Sequence, residues 1–199
     1  MGNSRAYPVF QSTDAAMAYT QAEHLRTLMA ECEAKAELYA ELRTVEDVRQ
    51  MVAVLPEADF DYFDYLDMRT GPAGEDLWFD LDVATAGAAS LEAHLPLDAS
   101  ADVPTGTVEE RFVAVLGQGI ADICWRGLWP ERLEADQYAS AKYDGVQIVF
   151  HGERAQLNGW TEHHTVFVHG CHNHGALTRA QELAALIGSK VLGEPQLGW

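Results

Sequence analysis

The chain has 199 residues, 48% of them hydrophobic and 10% aromatic, enough for a real core and too apolar for a disordered chain. Its formal net charge of −18 disfavours direct contact with nucleic-acid phosphates or an anionic membrane. The three cysteines, Cys32, Cys124 and Cys171, are odd in number and widely spaced, which argues against a disulfide framework and for a reducing compartment.

The opening MGNSRAYPVF has no apolar signal core, and no later run approaches membrane-spanning length. A soluble cytoplasmic protein is expected. No internal repeat or compositional break divides the chain, so residues 1–199 read as a single domain. The charge is uneven: residues 1–110 hold 22 acids and 6 bases, a balance of −16, and residues 111–199 hold 9 acids and 7 bases, a balance of −2.

Ser12 or Thr13 is placed to cap a helix, with Asp14 in its first turn. From there to Arg43 almost nothing breaks a helix. Ala15, Ala18, Ala22, Leu25, Met29, Cys32, Ala36 and Tyr39 recur at spacings of three and four, a heptad seam. The spacing predicts a long helix over about 12–43, either lying across a sheet or acting as an arm that forms a homodimer. Thr44 with Asp47 resembles a capping box, so a second helix is expected to about Leu55, stopped by Pro56.

Residues Glu57 to Asp82 interleave acids and aromatics with a strand's period. Leu77, Phe79, Leu81 and Val83 share one face; Trp78, Asp80 and Asp82 share the other. The turn residues Thr70-Gly71-Pro72-Ala73-Gly74 join the halves into an antiparallel hairpin. Its outer face would present Asp59, Asp61, Phe63, Tyr65, Asp67, Trp78, Asp80 and Asp82. Crowded carboxylates repel unless a cation or basic partner relieves them, and aromatics among them supply apolar contact. An acidic edge that merely discourages aggregation is the plainer alternative. Calcium fits less well, because the spaced acids and glycine of an EF-hand loop are missing.

Residues 84–106 read as a connection with one short strand near Leu91–Leu95. Thr107 with Glu110 forms a capping box for a central helix through Phe112, Leu116, Ile120, Ile123 and Cys124. Gly117 and Gly119 weaken that helix, and their Gly-x-Gly lacks the strand and fingerprint of a dinucleotide site. Trp125, Leu128, Trp129 and Pro130 form an aromatic corner of the core. Tyr138–Tyr143 and Val146–His151 make a hairpin around Asp144-Gly145, Thr165–His169 is a further strand, and Thr178 with Gln181 caps a last helix to about Leu192. The order predicts an α+β fold: an antiparallel sheet of five to six strands packed by a long N-terminal, a central and a C-terminal helix.

Six of the eight histidines lie from His151 onward. His163, His169, Cys171, His172 and His174 offer the imidazoles and thiolate that zinc prefers, although their spacing matches no standard finger or metalloprotease helix. Cys171 beside a histidine is also the raw material of a nucleophile, without an evident orienting group or oxyanion hole.

These features support three expectations. The first is a non-enzymatic acidic binding protein that engages a basic surface, such as that of a nucleic-acid-binding protein. It would act as an inhibitor, an immunity-type factor or a nucleic-acid mimic. The second is a metal-binding protein, or a hydrolase, using the histidine cluster. The third is an oligomer assembled through the heptad helix. Scarce lysine beside abundant alanine fits a high-GC genome such as that of a phage or mobile element.

Overall fold

The structure, a computed structural model, describes residues 4–63, 68–71, 73–129, 144–171 and 175–199. It is α+β and built on one large antiparallel sheet. In chain order the elements are β1 (Ser4–Ser12), α1 (Ala15–Arg26), β2 (Ala30–Leu42), α2 (Val45–Val54), β3 (Asp59–Tyr62), β4 (Met68–Thr70), β5 (Asp76–Trp78), α3 (Ala88–His94), β6 (Leu97–Pro104), α4 (Glu109–Ala114), β7 (Ala121–Leu128), β8 (Gly145–Phe150), β9 (His164–Cys171), α5 (Ala176–Leu186) and β10 (Gln196–Leu197). Eight strands pair in the order β10-β1-β9-β8-β7-β2-β6-β3, and β4 with β5 forms a separate two-stranded ribbon. The sheet is therefore wider than the five to six strands expected.

The long N-terminal helix does not exist. Asp14 caps α1 by accepting from the Met17 N–H, and the helix stops at Arg26. The stretch AECEAKAELYAEL then runs as the 13-residue strand β2. Its alanines and glutamates favour a helix locally, but its period is two: Ala36, Leu38, Ala40 and Leu42 are buried in the core, while Glu37, Tyr39 and Glu41 point to the other side. Burial of that alternating face between β6 and β7 overrides the propensity, and the heptad seam with its dimer rationale dissolves.

Other expectations shift in the same way. The region 84–106 is not a connection but α3 followed by the eight-residue β6. The central helix shrinks to α4, and Ile123 and Cys124 belong to β7. Thr107 does not cap α4; the Glu109 carboxylate instead accepts from the Gly106 and Val108 N–H groups. The last helix ends at Leu186, and its N-cap is Gly175, at φ 101°, not a Thr178 hydroxyl. Strands β1 and β10 had no counterpart in the sequence reading.

The second helix, the Thr44/Asp47 capping box and the β9 strand stand as expected. Trp125 and Trp129 are buried in or against the core as anticipated. Pro130 and the strand expected at 138–143 lie outside the described residues.

The main core lies between the helices and one face of the sheet. Strands contribute Val9, Leu38, Leu42, Leu97, Ile123, Ile148, Phe150, Val166 and Val168, and the helices return Ala18, Leu25, Val48, Met51, Leu91, Phe112, Ala180 and Leu183. A smaller cluster of Ala6, Ile120, Val149, Ala155 and Phe167 forms on the opposite face over β1, β8 and β9. The remainder of that opposite face, across β3, β6, β2 and β7, carries no such apolar cover among the described residues.

Candidate functional site

Strand register lays the side chains of this open face out in rows. One row runs Asp61–Asp98–Glu41 across β3, β6 and β2. The next runs Asp59–Ser100–Tyr39–Asp122 and reaches β7. The third runs Asp102–Glu37–Cys124–Gln147 and reaches β8. Glu37, Tyr39, Asp59, Asp102, Asp122 and Cys124 line a hollow of about 500 Å³ in this face.

Carboxylates directly opposite one another on a sheet are destabilising, and the first row places three in succession. Glu41 is relieved by a paired contact with Arg43, both oxygens at 2.9 Å, and by the Ile120 N–H at 3.1 Å. Asp98 has less relief. Burial and then the Asp61 charge push its pKa up to about 6, against weaker help from the Asp61 backbone and Arg69. Among the described residues the cations on the face are committed: Lys35 bonds Asp102 at 2.8 Å, and Arg126 bonds Glu37 at 3.1 Å.

A buried polar chain leads away from Asp122 and Cys124 in the wall of the hollow. The Asp122 carboxylate accepts from Gln147 Nε2 at 2.7 Å and from the Cys124 thiol at 3.1 Å. Gln147 Nε2 also donates to the Ala155 carbonyl, so its Oε1 is left to accept from His169 Nε2 at 3.0 Å. That fixes the proton of His169 on Nε2 and leaves Nδ1 facing Ser4 Oγ at 3.4 Å. The imidazole stacks on Trp199 with centroids 3.5 Å apart. Burial raises Asp122 to about 6, opposed by the Gln147 and Cys124 hydrogen bonds, and lowers His169 to about 3. The Cys124 thiol is pushed well up by burial and by Asp122, so it is held as a protonated donor rather than a thiolate. Gln147 stands between thiol and imidazole, so among the described residues Cys124 has no histidine partner.

The sequence-predicted binding residues divide between two surfaces. Phe60 and Tyr62 turn toward the core, so Asp59 and Asp61 fall on the open face. The β4–β5 ribbon sits on the helical side: Tyr62 donates its hydroxyl to the Leu77 carbonyl, and Phe79 packs edge-on against Tyr62 and His94. Trp78 and Asp80 are exposed there, and Asp82 closes its own turn, accepting from Thr85 Oγ1 and the Ala84 N–H. The sheet thus separates Asp59 and Asp61 from Trp78, Asp80 and Asp82. Phe63 is half-buried just beyond β3; Tyr65 and Asp67 lie outside the described residues. Glu37, Glu41, Asp98, Asp102 and Asp122 are not among the sequence-predicted residues; the period of two in AECEAKAELYAEL and LDASADVP puts the first four on alternating positions, but only strand order brings all five onto one face.

The histidine set does not converge among its described members. His163 bonds Glu153 at 2.9 Å near the surface, while His169 is fully buried six positions on, roughly 20 Å along an extended strand. His172, His174 and the side chain of Cys171 lie outside the described residues. Among the described residues no group of three or more His, Cys, Asp or Glu side chains is arranged to hold a metal ion. His164 Nδ1 instead accepts from the His151 N–H at 3.1 Å, and burial followed by the His151 charge lowers it to about 4. Among the described residues no helix is long and apolar enough to cross a membrane.

No family model, curated protein or solved structure matches the chain.

Proposed function

We propose that the chain is a non-enzymatic acidic binding protein that engages a basic surface of a partner protein through the open face of its sheet. The observation that carries this reading is the row pattern: seven carboxylates, Glu37, Glu41, Asp59, Asp61, Asp98, Asp102 and Asp122, project from four adjacent strands onto one face. Rigid strands hold those charges at fixed spacings; Arg43, Lys35 and Arg126 already relieve Glu41, Asp102 and Glu37, and a cationic partner relieves what remains around Asp59, Asp61 and Asp98. An inhibitor, an immunity-type factor or a nucleic-acid mimic would work in this way, by covering a site that normally receives phosphates. Zinc chemistry at the histidine stretch gains no support from the described members of that set.

Titration with fluorescent poly-L-lysine over a range of salt tests the reading. The variant Glu37→Gln/Asp59→Asn/Asp102→Asn is expected to weaken binding at least about tenfold and to flatten its salt dependence. The variant Glu75→Gln/Asp76→Asn/Asp80→Asn removes the same charge from the ribbon and should leave binding near wild type. Equal losses in both would show that net charge alone is being sensed, and the reading would fall.

A further inference from the structure

Strand β3 covers only part of its neighbour. Asp59 lies opposite Ser100, and N-terminal to it the chain turns away, with the Ala58 N–H bonded to the Leu55 carbonyl. Residues Ala101 to Pro104 of β6 therefore have β2 on one side and, among the described residues, no strand on the other. The hydrogen-bond phase says which backbone groups are exposed at that edge. Thr105 N–H bonds the Ala34 carbonyl, so odd-numbered residues of β6 address β2 and even-numbered ones address the β3 side. The Asp102 N–H and C=O thus point outward, while the Pro104 C=O on the same side is taken by the Thr107 hydroxyl at 2.6 Å. Proline, which has no N–H to offer, suits such an edge.

Hollows flank this edge on both faces of the sheet. On the open face is the acidic hollow of about 500 Å³, with Asp59, Asp102 and Glu37 in its wall. On the helical side is a second hollow of about 310 Å³ that shares Asp59 and residues 100–102 and is walled by Val54, Leu55, Pro56, Val103 and Val108. A strand laid along the edge would send alternate side chains into the two spaces.

We infer that the partner's basic segment binds in extended form, adding antiparallel to β6 beyond β3, with basic side chains toward the acidic hollow and apolar ones toward Val54, Leu55 and Val108. Its charge and its alternation are set by the two walls, and its direction by a sheet that is antiparallel throughout. This rests on the acidic-face reading and adds to it the form of the ligand. The residue opposite Asp102 is a basic one, and it exchanges both backbone hydrogen bonds with Asp102 as a hydrogen-bonded antiparallel pair.

The test uses the full chain and three labelled peptides: acetyl-Lys-Val-Lys-Val-Lys-Val-amide, the same peptide N-methylated at every lysine, and the same peptide N-methylated at every valine. Lysine N–H groups face β6 in the proposed register and valine N–H groups face away. Lysine methylation is expected to weaken binding about tenfold or more, and valine methylation to change it less than about threefold. Equal effects of the two modifications, or none from either, would overturn strand addition. Loss of the unmodified peptide's binding in Glu37→Gln/Asp59→Asn would in that case still uphold the acidic face. Failure of the unmodified peptide to bind while poly-L-lysine does would also overturn strand addition alone. Failure of both would remove the two readings together.

Discussion

Asp98 sits between Asp61 and Glu41 on neighbouring strands and is itself buried, so its charged form is disfavoured both by lost solvation and by repulsion. Its pKa is raised to about 6, which means that the folded state binds its proton more tightly than the unfolded chain does. Stability from this group is fully present below the unfolded carboxylate value and is lost as pH rises through about 6. Asp98→Asn keeps an acceptor for the Asp61 backbone and removes the charge. It should raise stability by about 1–3 kcal/mol near pH 8 and change it little near pH 4, measured by urea unfolding at the two values. Gln147 shows the opposite dependence on a single side chain, since it serves Asp122, His169 and the Ala155 carbonyl at once. Gln147→Leu fits the space but takes this partner from His169 Nε2 and the Ala155 carbonyl and leaves Asp122 with the Cys124 thiol, and a loss of about 2–4 kcal/mol is expected in the same assay. A loss below about 0.5 kcal/mol would mean that water enters and replaces the amide.

At the scale of elements, the turn before β7 shows why the sequence misled. Gly117 and Gly119 look like weak points in a helix, yet a Cβ on Gly119 would run into the Glu41 carbonyl, so that glycine is there to let β2 and the turn come together. Gly119→Ala should therefore cost about 2–4 kcal/mol and leave the far-ultraviolet spectrum native-like in shape, whereas a helix reading predicts stabilisation by the same change. Local signals that act within a few residues were legible: the Thr44 box, the strand around Val166, and the apolar side of Phe79, Leu81 and Val83. What was not legible depended on distant partners. Ala-Glu alternation in β2 satisfies a helix by composition and a strand by period, and only burial between β6 and β7 decides between them. The site suffered the same way. Asp59 and Asp61 could be named from their own stretch, but Glu37, Asp98, Asp102 and Asp122 join them through strand order, which no local pattern encodes.

Across the whole molecule, buried acids and buried histidines pull stability in opposite directions with pH. Asp98 and Asp122, both raised to about 6, favour folding at low pH and lose that contribution as pH climbs from about 4 to 6. His164 and His169, lowered to about 4 and about 3, stay neutral in the fold while the unfolded chain takes up protons below about 6.5. Their contribution is complete above that value and is lost as pH falls. Between about pH 4 and 6 the two sets offset one another, so these four groups together give a shallow profile. Removing one member should uncover the slope of the rest. Asp98→Asn is expected to make stability rise with pH in that window by up to about 1.4 kcal/mol per pH unit more than wild type, and His169→Gln to tilt it by a similar amount the other way. Urea midpoints at several pH values between about 4 and 7 would show both tilts. If the variants shift the curve without changing its slope, those side chains titrate alike in the folded and unfolded chain. The repulsion assigned to the acidic face would then be relaxed within the fold rather than held for a partner.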